Sequence, residues 1–532
     1  MTKQRIVTGD WPGFYPGDWV RPRSNSGKWT PFVDVHEIFP GNTSVSRDKK
    51  YALFDVPIGI QLKIETANKT PMVFDGQGDW EIDGVRRPKY FWEDSEKYHL
   101  LYDVQEEFTC YAYSDDGYNW IRPVMDKIEY NNSTKNNIVS TSIGSASGFF
   151  EDVSAPPEER YKAMGGDAGW YDPDTWEPVT GSEVSKRWDA QQYEGASYKG
   201  PKIVLRGWMV GWTSPDRLHW TKIEDPLAEY SVNGAISARY DPKSKTYFAY
   251  MQPQGFTPEE PKGIGSGVQE ANMVRRANGF SRTKDFRHWP APKLIHHPDA
   301  QDGLDDSFYS HNYFPYPDRD DIHCMGIPTF HQISGQMDVQ IAFSRDGLFW
   351  SRPERKAIIP NGVPGSGEEG MVSDWKCGIA KLSDGAWGIG YTGHYRLHNV
   401  RPEFEEEMFP FKQPIKAAWA IWQPHRMCGV EAVEEGRFTI PTIARCNDEL
   451  RFNYRCEPGG WIYVELLPFI PSMMHADVSP ITGFTFGSCD ALVGDSLDKV
   501  VTWNSDGNIS TIGEMVAIRV KMFRAKLFAY SV

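Results

Sequence analysis

The chain runs to 532 residues and carries a formal charge of −15 at pH 7. That length exceeds what one hydrophobic core fills, so two domains, or one large β domain with an appendage, are expected. The acidic balance speaks against a nucleic-acid partner, since phosphate binding needs a basic footprint.

Aromatic residues make up 14% of the chain, beside 48 Gly and 38 Pro, a composition of short strands and tight turns rather than long helices. The first residues, MTKQRIVTGDWPGFYPGDW, hold no apolar run of signal-peptide length. No later stretch approaches the ~18 apolar residues of a membrane span. A cytoplasmic protein without a membrane partner is therefore expected. Seven cysteines (Cys110, Cys324, Cys377, Cys428, Cys446, Cys456, Cys489) are scattered and never form CxxC, which reads as buried free thiols rather than disulfides or a zinc site.

The segment Lys49–Glu65 reads as strands that close or brace a larger ring. Downstream of it a phrase recurs: AYSDDGYNW ending at Trp120, GWTSPDRLHW at Trp220, FSRTKDFRHW at Trp289 and AFSRDGLFW at Trp350. Hairpin-like segments precede three of these copies: Lys89–Asp103, Ala238–Met251 and Tyr313–Ile327. In the phrase itself Asp and Gly suit a tight turn, Ser bonds nearby backbone, and Trp is a plate to bury between neighbouring sheets. A further hairpin, Cys377–His394, lacks the Trp phrase. Repetition at such intervals predicts a radial array of small sheets: a β-propeller of five blades over residues 1–421, with a sixth left open. Beyond Trp422 the runs LRFNYRC, GWIYVELL, GFTFGSC, VVTWN, MVAIRVKM and AKLFAYSV alternate with turn residues and predict a C-terminal β-sandwich over 422–532. The fold class expected is all-β, a five-bladed propeller followed by a sandwich.

Several segments carry a resemblance: Trp80-Glu81, FFED with APPEERYKAM (Phe149 to Met164), Met337 to Trp350, GSGEEGM (Gly365 to Met371), and Ile481 to Leu497 followed by Trp503. From about Asp55 onward the chain resembles the invertase-like and arabinanase-like five-bladed propeller glycosidases, and more closely a bacterial group of family 32-like proteins. The resemblance implies a pocket on the propeller axis, where the innermost strands begin. Substrates among such relatives range over fructosides, arabinofuranosides, xylosides and anhydrogalactosides, so fold alone does not fix the sugar.

That placement selects Trp80, Glu81, Asp83, Arg86 and Arg87 in blade one, Asn233 in blade three, Asp305, Asp306, Tyr309 and His311 in blade four, and Glu368, Glu369 and Asp374 in blade five. His331 and His394 follow on neighbouring strands. Asp152, at the opposite end of its strand, is assigned a structural role. Glycoside cleavage needs an acid for the leaving oxygen and a second group as base or nucleophile. Asp306 and Glu368, from adjacent blades, are the expected pair. His311 is an alternative acid, because an imidazole titrates near neutral pH; the competing reading is a core histidine. The invertase-like relatives carry an Asn-Asp-Pro phrase in blade one where this chain has Arg87-Pro88, which argues against ordinary sucrose chemistry. Trp80 offers a stacking face, and Arg86 and Arg87 either clamp an anionic group or neutralise nearby acids.

The expected function is an exo-acting glycoside hydrolase on an oligosaccharide, releasing 3,6-anhydrogalactose from algal galactan or a furanoside. No cofactor or metal is expected, because no EF-hand or HExxH spacing occurs. Two alternatives stay open: a glycoside phosphorylase with a phosphate site among Arg86, Arg87, Arg275 and Arg276, and a noncatalytic sugar-binding propeller. The sequence leaves the oligomeric state undetermined.

Overall fold

The computed structural model describes residues 26–45, 51–74, 76, 78–82, 84–105, 108–172, 174–180, 183–184, 203–228, 230–254, 276–398, 409, 413–470 and 478–532. Within them the protein is all-β, its ordered elements being strands and a few single-turn helices.

Five antiparallel units follow one another along the chain. The first orders its strands Arg87–Glu93, Tyr98–Val104, Phe108–Ser114 and Ile138–Ser140. The second has Ala146–Glu151, Tyr161–Tyr171, Val204–Ser214 and Thr221–Lys222, and the third Ser231–Asp241, Thr246–Gln254, Asn278–Thr283 and Lys293–His296. The fourth is built on Asn312–Tyr316, Arg319–His331 and Met337–Ser344, with Asp306–Phe308 also on its middle strand. The fifth has Met371–Lys381, Trp387–His394, Lys416–Trp422 and, from far upstream, Asn68–Lys69. One parallel pairing, Met337 with Met371, joins the last two units into an eight-stranded sheet.

Alternation of side chains across these strands leaves apolar residues on both faces, so each unit buries itself against its neighbours. The first strands pack in a cycle: Arg87–Glu93 on Ala146–Glu151, then Ser231–Asp241, Asn312–Tyr316, Met371–Lys381, and back to Arg87–Glu93. The cycle is one of packing, since among the described residues no hydrogen-bonded sheet closes on itself. Polar side chains bridge its junctions. Lys89 Nζ donates to the carbonyls of Ile143 and Gly144, and Ile236 N–H donates to Ser147 Oγ. Tyr313 N–H donates to Ser237 Oγ, and Trp419 Nε1–H of the fifth unit donates to Gly117 O of the first at 2.7 Å.

The recurrent phrase is a turn with a fixed hydrogen-bond pattern. In the first copy Ser114 Oγ accepts from Gly117 N–H, Asp116 Oδ1 accepts from the N–H groups of Tyr118 and Asn119, and Trp120 Nε1–H donates to Gly117 O. The copies at Ser214/Asp216/Trp220 and Ser344/Asp346/Trp350 repeat it bond for bond. In the third copy Thr283, two residues on from Ser281, takes the serine's part. Gly117 and Gly347 sit at φ 81° and 74°, and Arg217 holds the same left-handed position at φ 69°.

The C-terminal part is a six-stranded antiparallel sheet over its own core. Here the expected elements change. LRFNYRC and GWIYVELL form one 17-residue strand, Arg451–Leu467, bent by a bulge between Cys456 and Trp461. MVAIRVKM and AKLFAYSV likewise merge into Met515–Ser531. Gly483–Cys489 is a turn rather than a strand, because Ser488 Oγ bonds Gly483 O and Thr485 N–H locally. The sixth strand is Asp495–Val500, ahead of the expected VVTWN. Two N-terminal segments join this sheet: Thr30–Pro31 along Met515–Ser531, and Gln61–Ile64 along Cys428–Ala444. The expected bracing segment, Lys49–Glu65, therefore contributes Gln61–Ile64 to the sheet beyond residue 422, while among the described residues Tyr51–Phe54 pairs with Asn42–Val45. Six cysteines are free thiols, all buried but Cys446; the Cys377 side chain lies outside the described residues.

Candidate functional site

Where the first strands begin, the structure encloses a cavity of about 350 Å³. Its wall is built from four of the five units: Arg86, Arg87 and Lys89 from the first, Ser145 and Ser147 from the second, Tyr309 and Ser310 from the fourth, and Asp374, Lys376 and His394 from the fifth. The third unit adds Gln252.

Asp374 is the carboxylate on this wall among the described residues. It is buried, and its Oδ1 accepts from Asn312 Nδ2 at 2.6 Å. Its Oδ2 lies against Gly326, whose missing side chain makes the room: a Cβ there would fall 2.0 Å from that oxygen. Oδ2 has no hydrogen-bond partner among the described residues. Burial pushes the Asp374 pKa up to about 7, against the opposing hydrogen bond from Asn312, so the group holds a proton near neutrality.

The wall supplied by the first unit is cationic. Lys89 is buried, and its ammonium spends its three donors on Asp103 Oδ1 at 2.7 Å and the carbonyls of Ile143 and Gly144 at 2.8 and 3.2 Å. Burial draws the Lys89 pKa down, and Asp103 opposes that shift. Arg87 Nη2 reaches the second oxygen of Asp103 at 3.2 Å, with the Arg87 side chain 56% exposed. Thr109 Oγ1 donates to the same carboxylate, fixing it behind both cations. Burial, then the charges of Arg396 and Arg86, hold His394 at a pKa of about 4, so its imidazole is neutral at pH 7.

Of the residues singled out in the sequence, the structure gathers Arg86, Arg87, Tyr309, Asp374 and His394 around this cavity. Others lie outside its lining. Asp306 accepts from His331 Nδ1 and from Gly303 N–H, both at 2.8 Å, and His331 Nε2 also meets Asp338 at 3.3 Å. Hydrogen bonding to Asp338 and Asp306 raises the His331 pKa to about 9 against its partial burial, so this is a cation between two carboxylates. His311 is wholly buried between His296 and Phe308, and burial drives its pKa well down: the core-histidine environment. Glu368 is buried between Lys69 at 3.2 Å and Lys416 at 3.3 Å, and Glu369 accepts from Gly365 N–H. Glu81 is buried under Tyr102 and Arg122, and Trp80 donates to Asn137 Oδ1 while packing on Tyr130. Asp152 accepts from Ser154 and Tyr247, a local brace. Asp83 and Arg275 lie outside the described residues, as does the Asn233 side chain. Arg276 covers the ring of Tyr309 at 4.6 Å.

Several residues of the wall, Lys89 and Gln252 among them, were not selected from the sequence. Lys89 stands two places past Arg87 and shares its face by strand alternation, a signal that was present. Gln252 sits on a second strand, which the rule of strand beginnings passes over. Among the described residues no group of three or more His, Cys, Asp or Glu is placed to hold a metal ion.

No protein-family model matches the chain, and neither does any curated protein. Solved structures that it resembles include one titled only as a glycoside hydrolase, at 13% identity over 68% of this chain and 93% of that one, TM-score 0.37. An endo-arabinase from Bacteroides thetaiotaomicron aligns at 11% identity over 68% and 98%, TM-score 0.34. A GH32 beta-fructofuranosidase from Bombyx mori aligns at 9% identity over 93% and 95%, TM-score 0.33.

Proposed function

We propose that the chain is a five-bladed β-propeller over residues 1–421 with a C-terminal β-sandwich over 422–532, and that its axial cavity is the active site of an exo-acting glycoside hydrolase. The observation that carries this reading is Asp374: a buried carboxyl, protonated near neutrality, on the wall of a cavity lined by residues from every unit. Glycosidases need an acid of this kind to protonate the leaving oxygen. In the reaction the Asp374 proton passes to the glycosidic oxygen as its bond to the anomeric carbon breaks. A water then adds to that carbon and gives up its proton. The neutral His394 and the amide of Gln252 serve as hydrogen-bond partners for sugar hydroxyls rather than as charges. Asp83, four residues before Arg87 in the sequence, is the carboxylate proposed to take the water's proton. A cavity of about 350 Å³ suits a single terminal sugar, with 3,6-anhydrogalactose or a furanoside as the substrates to try first.

The test is product release from defined galactan, arabinan and fructan oligosaccharides by wild type, Asp374→Asn and Asp83→Asn. One terminal sugar released from one class, with turnover in Asp374→Asn lowered about 10²- to 10⁴-fold, is the expected result. Asp374→Asn with more than half of wild-type turnover removes Asp374 from the reaction. Silence across the panel with sugar binding still measurable replaces the enzyme by a sugar-binding protein.

A further inference from the structure

The whole chain is strongly acidic, yet the first-unit side of the cavity carries Arg86, Arg87 and Lys89, of which Arg87 and Lys89 share the carboxylate of Asp103. These cations are not equivalent. Lys89 has spent its three donors on Asp103 and two carbonyls, so it fixes the wall and offers nothing more to a ligand. Arg87 is anchored to Asp103 and Gly144 O through Nη2 alone, at 3.2 and 3.4 Å. Among the described residues its Nε–H and both Nη1–H donors remain unengaged, on a side chain 56% exposed at the cavity. A guanidinium held at one corner presents its other edge, and that edge matches two oxygens of a carboxylate, sulfate or phosphate. Arg86 beside it adds a second positive charge, whose field is already felt at His394.

We propose that this wall is an oxyanion subsite, in which the Nε and Nη1 edge of Arg87 grips an anionic group presented in the cavity. The proposal rests on the cavity being a sugar site and names the class of substrate: a glycan unit bearing a carboxylate, sulfate or phosphate. Free inorganic phosphate, acting in place of water on the anomeric carbon, offers the same chemistry, and the experiment separates the two sources.

Binding is measured by titration calorimetry with galacturonate and glucuronate, their neutral counterparts galactose and glucose, and inorganic phosphate, on wild type, Arg87→Gln and Arg87→Lys. Thermal melts confirm that each variant folds; Asp103 keeps Lys89 as partner in both. In wild type at least one of the anions is expected to bind about tenfold tighter than either neutral sugar, with that advantage lost in Arg87→Gln and partly kept in Arg87→Lys. Uronates binding more tightly than phosphate place the anion on the sugar. Phosphate binding more tightly, with cleavage of the oligosaccharide panel that depends on phosphate, makes it the attacking group. No anion outbinding the neutral sugars, or equal anion affinity in Arg87→Gln and wild type, overturns the subsite. Because binding is read without turnover, anion capture through Arg87 with a silent cleavage panel leaves the subsite standing and removes the hydrolase reading. Cleavage of neutral glycans without anion binding does the reverse.

Discussion

A carboxyl that keeps its proton near neutrality does so at a cost in folding that pH can reveal. The folded-state pKa of Asp374, about 7, lies above its ordinary 3.8. Its contribution to stability is therefore complete below about pH 4 and is lost as pH rises through about 7. Asp374→Asn removes this dependence, so denaturant midpoints should show the variant gaining on wild type between about pH 4 and about pH 8. Turnover by wild type should fall on the alkaline side of about 7, where the proton leaves. Gly326 controls the same carboxyl from behind. Gly326→Ala places a methyl on Asp374 Oδ2 and should lower turnover without abolishing sugar binding; unchanged turnover would show that the carboxyl moves freely. Asp374 was legible as one of three blade-five acids but not as the one that lines the cavity. Its rank over Glu368 comes from Lys69 and Lys416, which neutralise Glu368 from strands about 300 residues upstream and about 50 downstream.

The repeated turn is where sequence and structure agree most closely, because the bonds that define it are local. Ser, Asp and Trp satisfy backbone and each other within seven residues, so nothing distant can override the pattern. Burial pushes the Asp116 pKa up, but the hydrogen bonds from Asn119 and its neighbours outweigh it and bring the value down to about 2. A carboxylate lowered in this way contributes stability above about pH 4 that is lost as pH falls to about 2. Asp346→Ala, which strips two backbone N–H groups of their acceptor in the fourth turn, should cost about 1–2 kcal/mol in urea unfolding at pH 7. A smaller loss would mean that water replaces the carboxylate without penalty. The long C-terminal strands were less legible. Glu457, Pro458 and Gly459 read as a turn between two strands, whereas the neighbouring strands hold the chain in one sheet through a bulge.

At the scale of the molecule, the two ends of the chain are stitched together. Thr30–Pro31, Gln61–Ile64 and Asn68–Lys69 each pair with a strand from beyond residue 415. Trp422 Nε1–H, Lys526 and Arg455 converge on Glu65 to tighten the seam. The hairpin rhythm announced the antiparallel units, since each is made from adjacent sequence apart from Asn68–Lys69 in the fifth. The seam was not announced, because short strands carry no mark of partners more than 300 residues away. A chain beginning at residue 70 should lose these edges and run as aggregate in size-exclusion chromatography; a monodisperse product with an unchanged melting temperature would show the seam to be dispensable.

The seam also sets an order of events during synthesis. Three strands that precede the units in the chain pair with strands that follow most of them. While the units emerge and collapse in turn, Thr30–Pro31, Gln61–Ile64 and Asn68–Lys69 wait for those partners, and the fifth unit keeps an open edge until Asn68–Lys69 returns to it. Until these strands return, the edges they cover stay open to chaperones, proteases and other copies of the chain.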